Sequence, residues 1–308
     1  KNENPDYFLI WNGSSLVSRA IVDVLKREGV ATIFFEIGNF PEKLFVDPEG
    51  VNVRSWFSKS YKTIYHSFLD MEEFSRWRDD YLAGKRSAHT VQQVKTSMSF
   101  NWSYPIDLIG FWFLSSPYSE KPDVLRRTWN FVRSKMVDYE FDEFSLCEDR
   151  PYLFFPMQVS TDSQILWNSS LDNFSAIKKA IEVAKENNCD LVVKPHPADI
   201  DRVAVKEIEK LKNEYGFFFV DRNTFELIEG CRGVVTINST VGMEALLCSK
   251  PVTTLGLAMF VDFTEEDMAF YLQKYLLDID FFSDAPLTDE QFTAVLERAD
   301  VPEWMGAG

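Results

Sequence analysis

Cationic charge and cysteine are both scarce in this sequence of 308 residues. Lys and Arg number 32 against 48 Asp and Glu, which gives a formal net charge of −16. Such a surface repels nucleic acids and anionic lipid headgroups, so we expect no nucleic-acid partner. The four cysteines lie far apart without any C-x-x-C pair. This spacing disfavours zinc and disulfide frameworks and favours reduced thiols in a reducing compartment.

Long apolar runs and the common glycine-rich phosphate motifs are also missing. No stretch reaches the roughly 18 apolar residues that a membrane span needs, and no charged-then-apolar leader opens the sequence. We therefore expect a cytoplasmic protein. Neither G-x-x-x-x-G-K-S/T nor G-x-G-x-x-G stands at a strand-to-helix turn, so an ATPase or an NAD enzyme lacks its main support.

What is present is an ordinary globular composition in a chain long enough for two domains. Hydrophobic residues make up 45% and charged residues 26% of the sequence, which excludes disordered and collagen-like classes. Aromatic residues reach 15%, with 27 Phe. We expect most of these rings in cores, and some on a surface that faces a sugar or a partner.

The first half of the chain begins with a strand, a turn, a helix and a second strand. Apolar runs predict strands at 6–11 and 31–38, and the turn "NGSS" precedes a predicted helix at 15–28. Residues 60–104 are polar and aromatic, which predicts a helical insertion or cap. A strand at 106–114 and a helix at 121–136 complete a predicted domain over residues 1–150.

From residue 151 onward, apolar strands alternate regularly with amphipathic helices. This alternation predicts an α/β domain with a doubly wound parallel sheet over 151–262, followed by two C-terminal helices in 263–308. Ligands bind such sheets at the carboxyl ends of the strands. The predicted strands are 152–159, 190–194, 217–220, 233–238 and 251–256.

The stretch "VVKPHP" places Lys194 and His196 directly after a short apolar strand. Pro195 and Pro197 cannot donate ladder hydrogen bonds and favour extended backbone before them, so we expect a rigid exposed turn. His196 on this turn is either an ordinary loop residue or a ligand-binding side chain.

In "TINSTVGMEAL", a strand runs into Asn238, Ser239 and Thr240 before a helix. These residues either cap that helix or, together with its free N–H groups, bind an anion.

Two acids follow predicted strands. Asp162 in "FPMQVSTDSQIL" is either a helix cap or a catalytic group, and it is flanked by Gln158, Ser163 and Gln164. Glu36 ends the strand "ATIFFEIG" and is either an exposed strand end or a proton donor.

Taken together, "VVKPHP", "TINSTVGMEALLCSKPVTTLGLAMF" and "FPMQVSTDSQIL" resemble the capsule polysaccharide synthesis family of glycosyltransferases. The resemblance covers roughly residues 150–262, with a vaguer likeness over 6–41. Characterised members include retaining β-Kdo transferases that use CMP-Kdo. The resemblance implies an α/β GT-B-like architecture, in which two Rossmann-like domains with parallel sheets face a cleft and the C-terminal domain binds the nucleotide.

The resemblance also implies roles for particular residues. Asp162 would be the nucleophile of a double displacement, beside Gln158, Ser163 and Gln164, and Glu36 would be the proton shuttle. Lys194 and His196 would contact the nucleotide sugar, and His196 is also a catalytic candidate. The turn would hold the CMP phosphate through Asn238, Ser239, Thr240 and Gly242, and Glu244 would lie near the ribose or base.

From the resemblance we expect CMP-Kdo as the donor substrate. We expect no metal and no other cofactor. The expected partners are this nucleotide sugar and a glycan or lipid-linked glycan acceptor, with peripheral association with inner-membrane polysaccharide assembly machinery at its cytoplasmic face. Ser249 departs from the family's usual glycine. Because 308 residues are short for a complete member, we expect one module of a larger capsule or O-antigen enzyme, or a trimmed form of one.

Two alternatives stay open at this point. One is an inverting teichoic-acid-type glycerophospho- or glycosyltransferase with a CDP- or UDP-linked donor. The other is a non-catalytic glycan-binding module of the same fold.

Overall fold

The computed structural model describes residues 5–63, 69–87, 141–144, 150–159, 165, 168–196 and 203–299. The predicted strand at 106–114 and helix at 121–136 lie outside these ranges. The elements before residue 88 are strands β1 (Tyr7–Trp11), β2 (Ala31–Ile37) and β3 (Lys43–Asp47), and helices α1 (Leu16–Glu28), α2 (Trp56–Ser60) and α3 (Met71–Ser87). Short 3-10 turns lie at Asn52–Arg54 and Tyr61–Thr63.

The remaining described elements follow residue 151. The strands are β4 (Tyr152–Pro156), β5 (Asp190–Lys194), β6 (Phe218–Phe219), β7 (Gly233–Thr236), β8 (Val252–Thr254) and β9 (Leu277–Asp278). The helices are α4 (Asn173–Glu186), α5 (Val203–Tyr215), α6 (Thr224–Gly230), α7 (Val241–Leu247), α8 (Glu265–Phe270) with a π-helical extension (Tyr271–Tyr275), and α9 (Asp289–Glu297). Across the described ranges, no helix is both long enough and apolar enough to cross a bilayer.

The second sheet has the strand order β6-β5-β4-β7-β8, and all of its described pairings are parallel. All five residues of β4 are buried, as expected for a central strand covered by helices on both faces. Helix α4 is capped by Asp172, which accepts from the Ser175 N–H at 2.8 Å, and it buries Ile177 and Ala180 against the sheet. The predicted α/β fold class is confirmed.

The first sheet has the order β1-β2-β3-β9 and mixes strand directions. Strands β1 and β2 are parallel, whereas β3 pairs antiparallel with both β2 and β9. Gly38 permits the reversal after β2, because a Cβ there would lie 2.5 Å from the Lys43 carbonyl oxygen. The sequence pattern predicted neither β3 nor β9. Through β9 the C-terminal residues return to the first sheet.

A continuous aromatic core joins elements from both ends of the chain. Phe57 of α2 and Tyr275 of the π-helical extension are buried and stack at a ring-centroid distance of 4.2 Å. Helix α3, expected as part of an insertion or cap, buries Phe74 and Leu82 in the same cluster. The described part of the 60–104 region is therefore built into the core.

Asp47, at the end of β3, is a fully buried carboxylate that organises this core. Its oxygens accept hydrogen bonds from the N–H groups of Glu49 (2.7 Å), Gly50 (3.1 Å), Trp56 (2.9 Å) and Phe57 (3.1 Å), and from the Tyr275 hydroxyl. Burial, followed by the adjacent Asp47 charge, raises the pKa of Tyr275 well above its ordinary value. The carboxylate thus caps α2 and ties the C-terminal segment to the first sheet.

We expect Asp47→Ala to lower the free energy of unfolding by about 3 kcal/mol, because it leaves several buried donors without their acceptor. The matched control is Glu49→Ala, which removes an acid two residues away whose ion pair with Lys59 is solvent-exposed; it should cost less than about 1 kcal/mol. Urea unfolding followed by circular dichroism measures both. A similar midpoint for the two variants would contradict this role of Asp47.

Candidate functional site

A buried pair of amides spans the carboxyl edge of the second sheet. Gln158 follows β4 and Asn238 follows β7, and the two side chains belong to residues only 5% and 8% exposed. The Gln158 Nε2 donates to Asn238 Oδ1 at 3.0 Å, and the Gln158 Oε1 accepts from the Asn238 N–H at 3.1 Å. The chain runs outward from β4 in one direction to β5 and in the other to β7, so the pair lies at the switch point where doubly wound sheets bind ligands.

Asn173, the first residue of α4, holds the backbone of Gln158 from the other side. Its Oδ1 accepts from the Gln158 N–H at 3.2 Å, and its Nδ2 donates to the Gln158 carbonyl oxygen at 2.7 Å. Asn173 is 3% exposed. Sequence reasoning missed Asn173, because asparagine is common at the N-termini of helices and does not by itself indicate a binding site. Asn173, Gln158 and Asn238 together form what we call the amide ladder.

The turn after Asn238 orders its own backbone. Ser239 donates its N–H to Thr236 Oγ1 at 3.2 Å, and its Oγ accepts from the Val241 N–H at 3.2 Å. Thr240 directly precedes α7 and does not cap it through its side chain, and this residue is exposed. A Cβ on Gly242 would lie 2.5 Å from the Phe260 ring, so no side chain fits there without displacing that ring. The turn therefore presents the Thr240 side chain at the carboxyl edge.

Lys194 and His196 leave β5 at the same edge, one strand away. The Lys194 Nζ donates to the Arg222 carbonyl oxygen and lies 3.9 Å from Asp221 Oδ1. Burial lowers the pKa of Lys194, and the charge of Asp221 opposes that shift. His196 is half-buried. The predicted Lys–His turn thus supplies a largely buried cation at the switch-point edge.

Of the other site residues predicted in this region, the structure describes only Glu244. Asp162, Ser163 and Gln164 lie outside the described residues, so their roles stay predictions. The Glu244 Oε1 accepts from the Tyr81 hydroxyl at 2.9 Å and from Lys85 Nζ at 3.0 Å, both on α3. Burial, followed by the Glu244 charge, raises the pKa of Tyr81. Glu244 therefore joins α3 to α7, and its predicted contact with the ribose or base stays a prediction.

Glu36, in the first sheet, is held by a left-handed turn. Asn12 and Gly13 have positive φ angles of 57° and 71°, and the Asn12 Nδ2 donates to Glu36 Oε2. The other carboxylate oxygen accepts from the Ile37 N–H at 3.3 Å. Since a Cβ on Gly13 would lie 2.6 Å from the Phe34 ring, glycine is needed there for space as well as for conformation.

The same turn lines a cavity of about 320 Å³. Its wall includes Asn12 and Arg19 from the first half of the chain and Asn168 from the second. The Asn168 carbonyl oxygen accepts from the Leu257 N–H at 2.9 Å, and the Leu257 carbonyl oxygen accepts from Asn238 Nδ2 at 3.4 Å. Two hydrogen bonds through Leu257 thus connect the cavity to the amide ladder.

Among the residues that the structure describes, no three His, Cys, Asp or Glu side chains cluster closely enough to hold a metal ion. The expectation of a reaction without a metal stays a prediction.

Comparison with known proteins finds a family and several relatives. The family model described as capsule polysaccharide biosynthesis protein matches residues 9–263. The chain is 28% identical over 255 residues to Protein FixF of Sinorhizobium fredii, covering 80% of this chain and 48% of FixF. It is 27% identical over 247 residues to the capsule polysaccharide export protein KpsS of Escherichia coli, covering 76% of this chain and 63% of KpsS.

Among solved structures, KpsC, beta Kdo 2,4 transferase, of Thermosulfurimonas dismutans matches with a TM-score of 0.50 at 14% identity. The match covers 87% of this chain and 79% of that chain. At this identity the likeness concerns the fold alone. The chain spans about half the length of FixF and less than two thirds of KpsS.

We expect Gln158→Ala to lower the free energy of unfolding by about 2 kcal/mol, because it strips buried partners from Asn238. It should also speed hydrogen exchange at the Asn238 N–H, which NMR measures. The control is Gln273→Ala, since Gln273 makes the same kind of paired hydrogen bonds to the Asp70 backbone in an exposed setting. If the two substitutions lowered the free energy of unfolding equally, the amide ladder would stabilise the fold no more than an exposed pair of hydrogen bonds does.

Proposed function

The chain belongs to the capsule polysaccharide biosynthesis family, and on that basis we propose that it is a glycosyltransferase that moves Kdo from CMP-Kdo to a glycan or glycolipid acceptor. The family match over residues 9–263 confirms the resemblance drawn from the sequence motifs. The likeness to a solved Kdo transferase supports a suitable fold. The donor and the acceptor are proposals that rest on the motifs and on the geometry of the carboxyl edge.

The observation that carries the proposal is the amide ladder at the switch point. The Lys194 cation lies on one side of the ladder, and the turn of Ser239 and Thr240, which we call the hydroxyl turn, lies on the other. CMP-Kdo brings a phosphate and a carboxylate. Lys194 and His196 at the end of β5 would neutralise this charge, while Ser239 and Thr240 donate hydrogen bonds. Because the net charge of the whole chain is −16, such a donor requires a local cationic site, and the largely buried Lys194 supplies one.

We propose a double displacement with retained configuration. The Asp162 carboxylate attacks the anomeric carbon of Kdo, and the bond to the CMP phosphate oxygen breaks, with its electron pair leaving on CMP. The acceptor hydroxyl then attacks the same carbon from the opposite side, and Asp162 departs as a carboxylate. Two inversions restore the starting configuration, as in two-carboxylate glycoside chemistry.

Glu36 would take the proton that the acceptor hydroxyl loses in the second step. The carboxylate is held by Asn12, which itself lines the cavity, so an acceptor in the cavity would bring its hydroxyl close to this base. As the resemblance implies, the proposed reaction uses no metal. Lys194, His196 and the hydroxyls of the turn would instead stabilise the departing phosphate. The acceptor would be a glycan or lipid-linked glycan supplied at the cytoplasmic face of the inner membrane.

The direct test of the activity is incubation with CMP-Kdo and a short synthetic or lipid-linked glycan, followed by NMR of the new anomeric centre. The expected product carries Kdo with the configuration of the donor. Transfer with inverted configuration, or transfer from CDP-glycerol and not from CMP-Kdo, would favour the teichoic-acid-type alternative. A chain that transfers neither group would be a binding module.

Asp162→Ala should abolish transfer while the affinity for CMP stays within about twofold, because the nucleophile is lost and the phosphate site is kept. Transfer assays and calorimetry on the same sample separate the two effects. Asp172→Ala is the matched control, since it removes another acid of the same stretch of sequence, one that caps α4; it should cost about 1 kcal/mol of stability and retain transfer. Unchanged turnover in Asp162→Ala would remove Asp162 from the mechanism.

Lys194→Met should weaken CMP binding by about tenfold or more, because it removes a largely buried cation from the proposed phosphate site. In the unsubstituted protein, CMP affinity should fall as rising pH approaches the lowered pKa of Lys194, since the neutral amine no longer attracts phosphate; this dependence should vanish in the variant. Lys250→Met is the control, because Lys250 also donates to a backbone carbonyl, that of Cys231, but lies before β8 at the opposite edge. Equal CMP affinities in the two variants would contradict the assigned site.

A further inference from the structure

The two faces of the first sheet differ in how far they bury the side chains of β1. Successive side chains of a strand point to opposite faces, so Tyr7, Leu9 and Trp11 share one face of β1 and Ile10 lies on the other. Ile10 is buried and clusters with Val22 of α1, so α1 covers its face. On the opposite face, each of Tyr7, Leu9 and Trp11 is at least 39% exposed. Three large apolar side chains are therefore exposed along β1.

Helix α9 covers the neighbouring strands on this same face. The register pairs Leu9 of β1 with Ile33 of β2, so both side chains lie on it. Ile33 is fully buried and clusters with Val46 of β3 and with Val295 of α9. Packed helices lie about 8–10 Å apart, so a helix placed alongside α9 would cover β1.

The segment between β9 and α9 extends the exposed apolar surface of β1. Phe281 packs against Trp11 with ring centroids 4.8 Å apart, and Phe282 packs against Phe281 at 5.6 Å. Both phenylalanines are exposed, and Phe282 reaches 75%. Phe292 of α9 is also exposed and lies three residues before Val295, on the same side of the helix. Together these side chains form what we call the apolar strip: Tyr7, Leu9, Trp11, Phe281, Phe282 and Phe292.

The segment that supplies the three phenylalanines is strongly acidic. Between Lys274 and Arg298 the sequence has six acids and no Lys or Arg. The six are Asp278, Asp280, Asp284, Asp289, Glu290 and Glu297. Every residue from Phe281 to Glu290 is exposed, so Asp284 and Glu290 stand beside the strip in solvent. Such a surface repels an anionic membrane and a second copy of this chain, which would bring the same acids, and it attracts a basic partner.

We propose that the apolar strip docks an amphipathic helix of a partner protein, with apolar side chains on one face and Lys or Arg on either side of them. Exposed apolar patches with a polar rim mark interaction sites, and an amphipathic helix binds such a site through its apolar face. From Tyr7 to Trp11, β1 extends about 13 Å, which matches about nine residues of a helix. No residue of the strip has a role in the proposed transfer, so this docking site is independent of the proposed function.

The test is an NMR titration of the full, isotope-labelled chain with a synthetic amphipathic peptide of Leu and Lys, about 18 residues or five helical turns long. In one comparison peptide Glu replaces Lys, and in another the same residues are rearranged so that the Leu side chains share no face. We expect the Leu–Lys peptide to bind at one site and to shift the amide signals of β1, Phe281, Phe282 and α9. Both comparison peptides should bind about tenfold more weakly or less.

Phe282→Ser should weaken the binding of the Leu–Lys peptide by about tenfold, because it removes the most exposed ring of the strip. Leu16→Ser is the matched control, since Leu16 is even more exposed but lies on α1, at the opposite face of the sheet. It should leave the affinity within about twofold. Thermal melting of each variant checks that it is folded.

The double variant Asp284→Asn, Glu290→Gln should weaken the binding of the same peptide by about fivefold, because it removes charge beside the strip. Its control is Asp23→Asn, Glu28→Gln, which removes the same charge from exposed positions of α1. If both double variants bound the peptide equally well, its attraction would come from the net charge of the chain, and the proposed basic partner would be wrong.

Three further results would overturn the proposal. The Leu–Lys peptide binds no more tightly than the comparison peptides, Phe282→Ser binds it as tightly as Leu16→Ser does, or the strip has another occupant. Sedimentation of the chain alone and flotation with phosphatidylglycerol vesicles test the last of these. Self-association or vesicle binding that Phe282→Ser abolishes would identify a second copy or a membrane surface as the occupant, and we expect neither.

Discussion

The site depends first on the pairing of two buried amides, Gln158 and Asn238, across the ends of β4 and β7. Each amide satisfies the other, and Asn173 fixes the backbone of Gln158, so three strongly polar residues are buried at little net cost. The ladder fixes where the hydroxyl turn begins relative to the end of β4, near Lys194 on β5. Without it, the switch point would be lined by polar groups lacking partners, and the turn would lose its fixed position.

A second constraint positions the first half of the chain against this edge. The C-terminal segment returns through β9 to the first sheet, and Asp47 binds both α2 and Tyr275. Helix α3 packs into the same aromatic core and reaches α7 through Tyr81 and Lys85, which bind Glu244. The cavity with Arg19, Arg54 and Asn168 lies where these halves meet. The same packing that stabilises the fold thus brings a candidate acceptor site close to a candidate donor site.

The sequence predicted the elements whose pattern is local, and it missed those defined by distant partners. The predicted strand at 190–194 and the predicted helix at 15–28 are found at Asp190–Lys194 and Leu16–Glu28. Strand β9 was missed because its two residues, Leu277 and Asp278, carry no periodicity and are defined by pairing with β3. Gln158 and Asn238 were each selected as site residues, but their mutual pairing across 80 positions has no sequence signal. Asn173 was missed because an asparagine at the start of a helix is ordinary and does not by itself indicate a binding site.

We propose that a cytidine nucleotide binds at the carboxyl edge of the second sheet, between the Lys–His turn and the hydroxyl turn that the amide ladder positions. A crystal structure of the chain with CMP tests it most directly. We expect electron density for the phosphate within hydrogen-bonding distance of Lys194 and of the Ser239–Thr240 turn. Nucleotide density in the cavity beside Arg19 and Arg54, or at the opposite edge of the sheet, would contradict it.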